Sequence, residues 1–333
     1  MSHDILGTAQ EGRFRDYPSC EGLLARFREA AAGAGAREST AGTSVEGRPI
    51  VRFDLGQEGA PCVLLTALMH GVEVIGALAL LDVLWRWADP TDSEARRVRE
   101  RAHIVVLPIV NPDACDANMS RLGRGERAFQ RCNANGVDLN RNFPRLTTRR
   151  LLHPFSGSRF RMSPHYMGPH ALSEPESRAV RAVATQLRPE LSLAFHSFGN
   201  LLLYPWAYTD RANPRAARYL DLAHAMTSTL ATPYDVRQAR QLYSVLGDMD
   251  DWLDAELGTL AFTVEVSRPA FGLSELGHLS NPFAWMNPRK ADATVRNLTP
   301  GVFALLSASL GLTLPRGRAE PLRASVRPPL AAK

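Results

Sequence analysis

Four stretches of this chain are apolar almost from end to end, and they constrain its fold more than any other feature. They begin at Ala60 (APCVLLTALM), His103 (HIVVLPIV), Leu191 (LSLAF) and Leu260 (LAFTVEV). A strand with one wet face alternates apolar and polar residues, so uninterrupted runs belong in a sheet covered on both faces. Helical patterns lie between them: EVIGALALLDVLWRWAD from Glu73, SEPESRAVRAVATQLRP from Ser173, and NPRAARYLDLAHAMTSTLA from Asn213. Alternating strands and helices predict an α/β fold with one twisted, mostly parallel mixed sheet flanked by helices. In such a sheet ligands bind beyond the carboxyl ends of the strands. His70, Asn111, His196 and Glu265 all fall at or near those ends.

The remaining segments read less uniformly. Residues 18–33 predict a short amphipathic helix closed by glycine, and TSVEGRPIVRFDLG predicts a hairpin with Gly47 in its turn region. Residues 118–169 lack periodicity, as functional loops often do. Ser173 reads as an N-cap, with Pro175 in the first turn and Glu176 three residues on. The last helix is expected to break near Pro300. Beyond Pro315 the tail RGRAEPLRASVRPPLAAK is too rich in Pro and Arg to bury a core.

His70 and Glu73 stand three residues apart where a strand hands over to a helix. Taken alone, the pair reads more readily as turn polarity than as metal ligands. A catalytic zinc takes three protein ligands, often two His and one Glu, and keeps a place for water. His196, directly after an apolar run, is the candidate third ligand; by itself it reads as a hydrogen-bonded core histidine. The stretch RCNANGVDLNRNFP, Arg131 to Pro144, packs two arginines, four asparagines and an aspartate into fourteen residues. Arg forks and Asn amides suit a carboxylate ligand, although a polar turn-rich surface loop has a similar composition.

In order and spacing, HGVE, NPDA, RCNANGVDLNRNFP, SEPES, HSFGNLLLYPW and FTVEVS resemble the motifs of the zinc carboxypeptidases of the carboxypeptidase A/B superfamily. The resemblance runs over most of the chain. It implies an eight-stranded mixed sheet, one catalytic Zn2+, and a catalytic domain over residues 1–314 followed by the tail, 315–333. It assigns His70, Glu73 and His196 as zinc ligands and Asp138 as the carboxylate that orients the first zinc histidine. Glu265 matches the general base, and Arg131 the arginine that polarises the scissile carbonyl. Asn140 and Arg141 match the pair gripping the substrate's terminal carboxylate, and Tyr243 the tyrosine that closes over it. Asp250 falls where an aspartate goes with C-terminal Lys or Arg. The implied activity is hydrolysis of the C-terminal peptide bond of peptides with a free carboxylate.

The chain departs from the family's usual pattern at Val72, where many digestive members carry arginine, and at Phe198, where tyrosine is frequent. His70 stands close to the N-terminus, so no inhibitory activation segment is expected. Alternatives on the same zinc chemistry are a murein-peptide amidase cutting γ-D-glutamyl–diaminopimelate bonds and an N-acyl amino acid deacylase. A non-catalytic binding module is disfavoured because His70, Glu73, His196 and Glu265 are all present. The net charge of +5 over 333 residues comes without a basic-aromatic stripe, so no nucleic-acid partner is expected. The four cysteines form no CxxC pair. No secretory h-region or membrane-length apolar run is seen, and a cytoplasmic location without membrane attachment is the expectation.

Overall fold

In a computed structural model, which describes residues 17–147, 153–268, 281–289 and 291–312, the apolar runs become the middle of one sheet. The strands are β1 (Arg37–Thr43), β2 (Pro49–Gly56), β3 (Cys62–Ala67), β4 (His103–Leu107), β5 (Leu191–His196), β6 (Leu201–Tyr204), β7 (Asp235–Gln238) and β8 (Leu260–Glu265). Their spatial order is β1-β2-β4-β3-β5-β8-β6-β7. The central strands β4, β3, β5 and β8 run parallel; β1–β2, β2–β4 and β6–β8 are antiparallel, and β6–β7 is parallel. The result is the expected mixed, mostly parallel eight-stranded sheet.

Burial follows from the pleat. In β3, Val63, Leu65 and Ala67 face one core, and Cys62 and Leu64 face the other. The first core is closed by helices α1 (Cys20–Gly33), α2 (Val74–Ala88), α6 (Ala216–Thr227) and α9 (Ala291–Ser309). The second lies against α5 (Pro175–Leu187) and the short α7 (Met249–Trp252). Helices α3 (Ser93–Arg101), α4 (Pro112–Gly123) and α8 (Phe283–Met286) complete the α-helices of the described residues.

The structure corrects several local expectations. The stretch from residue 118 begins inside α4, which starts on Pro112 with Asn111 as its cap, so the irregular segment opens only after Gly123. Helix α5 is capped from Glu174, not Ser173. Ser173 Oγ instead donates to the Glu174 carboxylate at 2.6 Å, and Glu176 accepts from Asn133 and from the Val45 backbone. Helix α9 continues through Pro300 without a break. The hairpin forms as expected, with Gly47 at φ +80° in its turn. The expected tail, 315–333, lies outside the described residues. No helix among the described residues is long and apolar enough to cross a membrane.

Candidate active site and metal centre

Three neighbouring parallel strands deliver the site. β3 leads through Leu68 and Met69 to His70, and Glu73 stands at the N-terminus of α2. β5 ends on His196 and β8 on Glu265, which pair directly across the sheet. Helix α2 can come this close to β5 because residue 76 is glycine: a Cβ there would sit 2.8 Å from the Phe195 carbonyl oxygen.

His70, Glu73 and His196 are buried, and their candidate ligand atoms all lie within 4.8 Å of one another. His70 Nδ1 is 2.9 Å from Glu73 Oε1, and His196 Nδ1 is 2.8 Å from Glu73 Oε2 and 3.1 Å from His70 Nδ1. Asp138 holds the Nε2 side of the His70 ring. Burial works against its charge, yet Arg131, Arg141 and His70 hold the Asp138 carboxyl well below the usual range. An ionised carboxylate only accepts, so His70 Nε2 donates to Asp138 Oδ1 at 2.9 Å, while Nδ1 on the other side of the ring faces the Glu73 carboxylate at the same distance. With Nε2 held by Asp138, a cation taking the place of the Nδ1 proton would meet Nδ1, Glu73 and His196 together. Three buried electron-pair donors converging on one point fit a cation, and two imidazoles with one carboxylate are a ligand set suited to zinc.

The other expected residues surround the same cleft, a cavity of about 990 Å³ lined by His70, Glu73, Arg131, Asn140, Arg141, His196, Tyr243, Asp250 and Glu265 among others. Asp138 lies behind the wall. Arg131 Nη1 donates to Glu73 Oε1 at 3.2 Å and Nε to Asp138 Oδ2 at 3.1 Å. Arg141 spends Nε and one Nη2 proton on the Phe155 carbonyl and one Nη1 proton on that of Asn140. One N–H on each Nη therefore has no partner among the described residues. Asn140 Oδ1 accepts from Met249 N, and its Nδ2 donates to Asp248. The Tyr243 ring lies parallel to His153 and edge-on to Phe155.

Two acids are left incomplete. Glu265 Oε2 is shielded and has no hydrogen-bond partner among the described residues. Burial, and then the charge of Glu73, push its carboxyl up to about 8. Asp250 Oδ2 accepts from Thr263 Oγ1 at 2.6 Å, while its buried Oδ1 has no partner among the described residues. Burial and the neighbouring Asp248 push Asp250 up to about 7. No arginine of the described residues pairs with it. Asp248 caps α7 through the backbone N–H groups of Asp250 and Asp251. Gly247, at φ +69°, lets this segment close on the Arg141 loop: a Cβ there would lie 2.4 Å from the Arg141 carbonyl oxygen.

Residue-by-residue reading missed His165, Asp248 and Thr263. The last two are signalled only by contacts across the fold, although Asp248 followed by MDDW has the form of a helix cap. Val72 is fully buried, and Phe198 lines the cleft.

The zinc carboxypeptidase family profile matches residues 30–276, well over half of the chain. The chain belongs to the zinc carboxypeptidase family. It is 29% identical to zinc carboxypeptidase A 1 of Anopheles gambiae over 221 residues, which cover 63% of this chain and 50% of that protein. The chain thus spans about half the length of that relative. Among solved structures, carboxypeptidase A from Helicoverpa armigera superposes with a TM-score of 0.71 at 21% identity, covering 91% of this chain and 77% of the other. Murein-tripeptide amidase from Escherichia coli O157 superposes at 0.52 with 21% identity, covering 84% of this chain and 95% of the amidase. These two likenesses are of fold.

Proposed function

We propose that this zinc carboxypeptidase family member is a one-zinc exopeptidase that removes the C-terminal residue of peptides, with a preference for Lys and Arg. The observation that carries the reading is the convergence of His70, Glu73 and His196 in the same cleft as the two free Nη donors of Arg141. His70, Glu73 and His196 would hold the ion. Zinc supplies Lewis acidity there, lowering the pKa of water toward neutrality and favouring negative charge on a carbonyl oxygen.

The chain's own residues divide the rest of the work. Arg141 grips the terminal carboxylate with its two free Nη donors, assisted by Asn140, and Tyr243 closes over the same end of the cleft. That grip restricts cleavage to chain ends, since an internal peptide offers no free carboxylate. Arg131, anchored by Asp138 and Glu73, donates to the scissile carbonyl oxygen as charge grows on it. Glu265 takes the proton of the attacking water and passes it to the leaving amine. Its Oε2, without a partner among the described residues, is free to accept that proton once a cation held by Glu73 offsets the charge that keeps Glu265 protonated. Asp250 supports the basic preference: its unpaired buried Oδ1 would be completed by an ammonium or guanidinium.

A second reading, hydrolysis of a cell-wall peptide at diaminopimelate, is favoured by the fold likeness that covers 95% of a murein-tripeptide amidase. It keeps the zinc and Glu265 chemistry and changes only the substrate. One experiment separates the two. Peptides ending in Arg, Lys, Leu, Phe or Glu, each free and amidated, are incubated with zinc-loaded protein beside a muropeptide ending in diaminopimelate, and products are read by mass spectrometry. Loss of one residue from free Arg and Lys ends alone is expected. Cleavage of the muropeptide alone would replace the first reading with the second.

A further inference from the structure

His165 lines the cleft, yet neither the family motifs nor the proposed reaction uses it. Its side chain is 15% exposed, and Nδ1 lies 3.3 Å from Asp138 Oδ2. Asp138 accepts four hydrogen bonds: from His70 Nε2 and Asn140 N on Oδ1, and from Arg131 Nε and His165 Nδ1 on Oδ2. As an ionised acceptor it places the His165 proton on Nδ1. Burial lowers the imidazole's pKa and outweighs the hydrogen bond to Asp138, with Arg131 acting in the same direction as burial. A neutral ring protonated on Nδ1 carries a lone pair on Nε2, which has no hydrogen-bond partner among the described residues. The Phe155 ring packs against this imidazole with centroids 5.1 Å apart, fixing the ring from a second side.

The position of this acceptor along the substrate follows from what shares its anchor. His165 and Arg131 bond the same oxygen of Asp138, and in the proposed reaction Arg131 addresses the scissile carbonyl. The C-terminal residue extends the other way, towards Arg141 and Asp250. Arg131 on one side, through Asp138, and Phe155 on the other, whose ring meets Tyr243, set His165 at the cleft wall beside the scissile bond, within reach of the side chain that precedes it.

We propose that His165 Nε2 accepts a hydrogen bond from the side chain of the penultimate residue, making His165 a specificity determinant for penultimate residues that carry an N–H or O–H donor. The inference rests on the exopeptidase reading. A positioned acceptor penalises an apolar isostere, because that side chain strips water from Nε2 and returns no hydrogen bond.

The test uses peptides Ala-Ala-X-Arg in isosteric pairs, with X as Ser against 2-aminobutyrate and Asn against Leu. The full chain is loaded with zinc. Wild type is expected to favour the donor-bearing member of each pair by roughly 3- to 10-fold in kcat/KM. In His165→Ala and His165→Phe the ratio should fall towards one, with zinc affinity, measured by chelator competition, within about threefold of wild type. Two variants of different volume guard against a loss that reflects loop packing alone. Intact ratios in either folded variant, or a uniform loss for every X accompanied by weakened zinc binding, would overturn the inference and leave His165 as a prop for Asp138. Absence of cleavage of any peptide by wild type would overturn the exopeptidase reading and this inference with it.

Discussion

The two sides of the cleft are completed to different degrees. On one side, Asp138 has four protein donors on its two oxygens, and Glu73 is engaged by His70, His196, Arg131 and the Ser197 backbone N–H. On the other side, Glu265 and Asp250 each keep a shielded oxygen with no partner among the described residues, and both carboxyls are pushed up by burial and by a neighbouring acid. Both sides are rich in acids, so composition does not separate them. Hydrogen bonding does. The completed side fixes proton positions and aims lone pairs, as an ion site requires. In the proposed reaction the incomplete side holds acids whose missing partner is a ligand: a proton in transit at Glu265, a substrate cation at Asp250.

The largest effect that would break this contrast is on turnover. Glu265→Gln should keep zinc bound and lower kcat by about 10²- to 10⁴-fold. Steady-state kinetics with metal analysis on the same sample checks this, and near-wild-type turnover would remove Glu265 from the chemistry. On the completed side, Asp138→Asn should weaken zinc affinity by roughly 10- to 100-fold, because the amide no longer enforces the His70 tautomer. Chelator competition reads that loss, and unchanged affinity would mean Asp138 serves Arg131 alone.

Asp250→Asn sharpens the comparison at smaller amplitude and in two directions. The preference for Arg over Leu ends should shrink about 30-fold or more, because the cationic side chain loses its buried counter-ion. Stability should rise. The folded-state pKa of Asp250 is raised to about 7, so between the ordinary carboxylate range and pH 7 the folded chain holds a proton that the unfolded chain has released. Its contribution to stability therefore falls as pH rises through that window. Denaturant titrations should show a gain for Asp250→Asn of roughly 2–4 kcal/mol at pH 8, shrinking as pH falls and little left at pH 4. In wild type, the ratio of kcat/KM for Arg over Leu ends should increase as pH passes about 7 and Asp250 ionises. A flat ratio would indicate that Asp250 does not face the substrate's side chain.

How far the sequence was legible follows the same physical lines. The central strands could be read because burial on both faces leaves no polar alternation, as in CVLLTA and LSLAFH. Edge strand β7, DVRQ, is short and polar, and nothing in it marks a strand; it exists because β6 offers a free edge. Helix α3, SEARRVRER, was overlooked for a related reason, since only Ala95 and Val98 are buried. The cap of α5 was misread because Asn133 and Asn135 draw the Glu174 carboxylate into a network that spans the fold. In the site, the ordered motifs brought His70, Glu73, His196 and Glu265 to attention, whereas His165 lies in an aperiodic loop 27 residues from Asp138. Only the folded loop shows that contact.

The most direct test of the central claim, that the completed side is a zinc site, is a zinc titration of the chelator-stripped chain beside Glu73→Ala and His196→Ala. One ion per wild-type chain, with saturable binding lost in both folded variants, is the predicted result. Equal binding in all three, or none in wild type, would contradict the account.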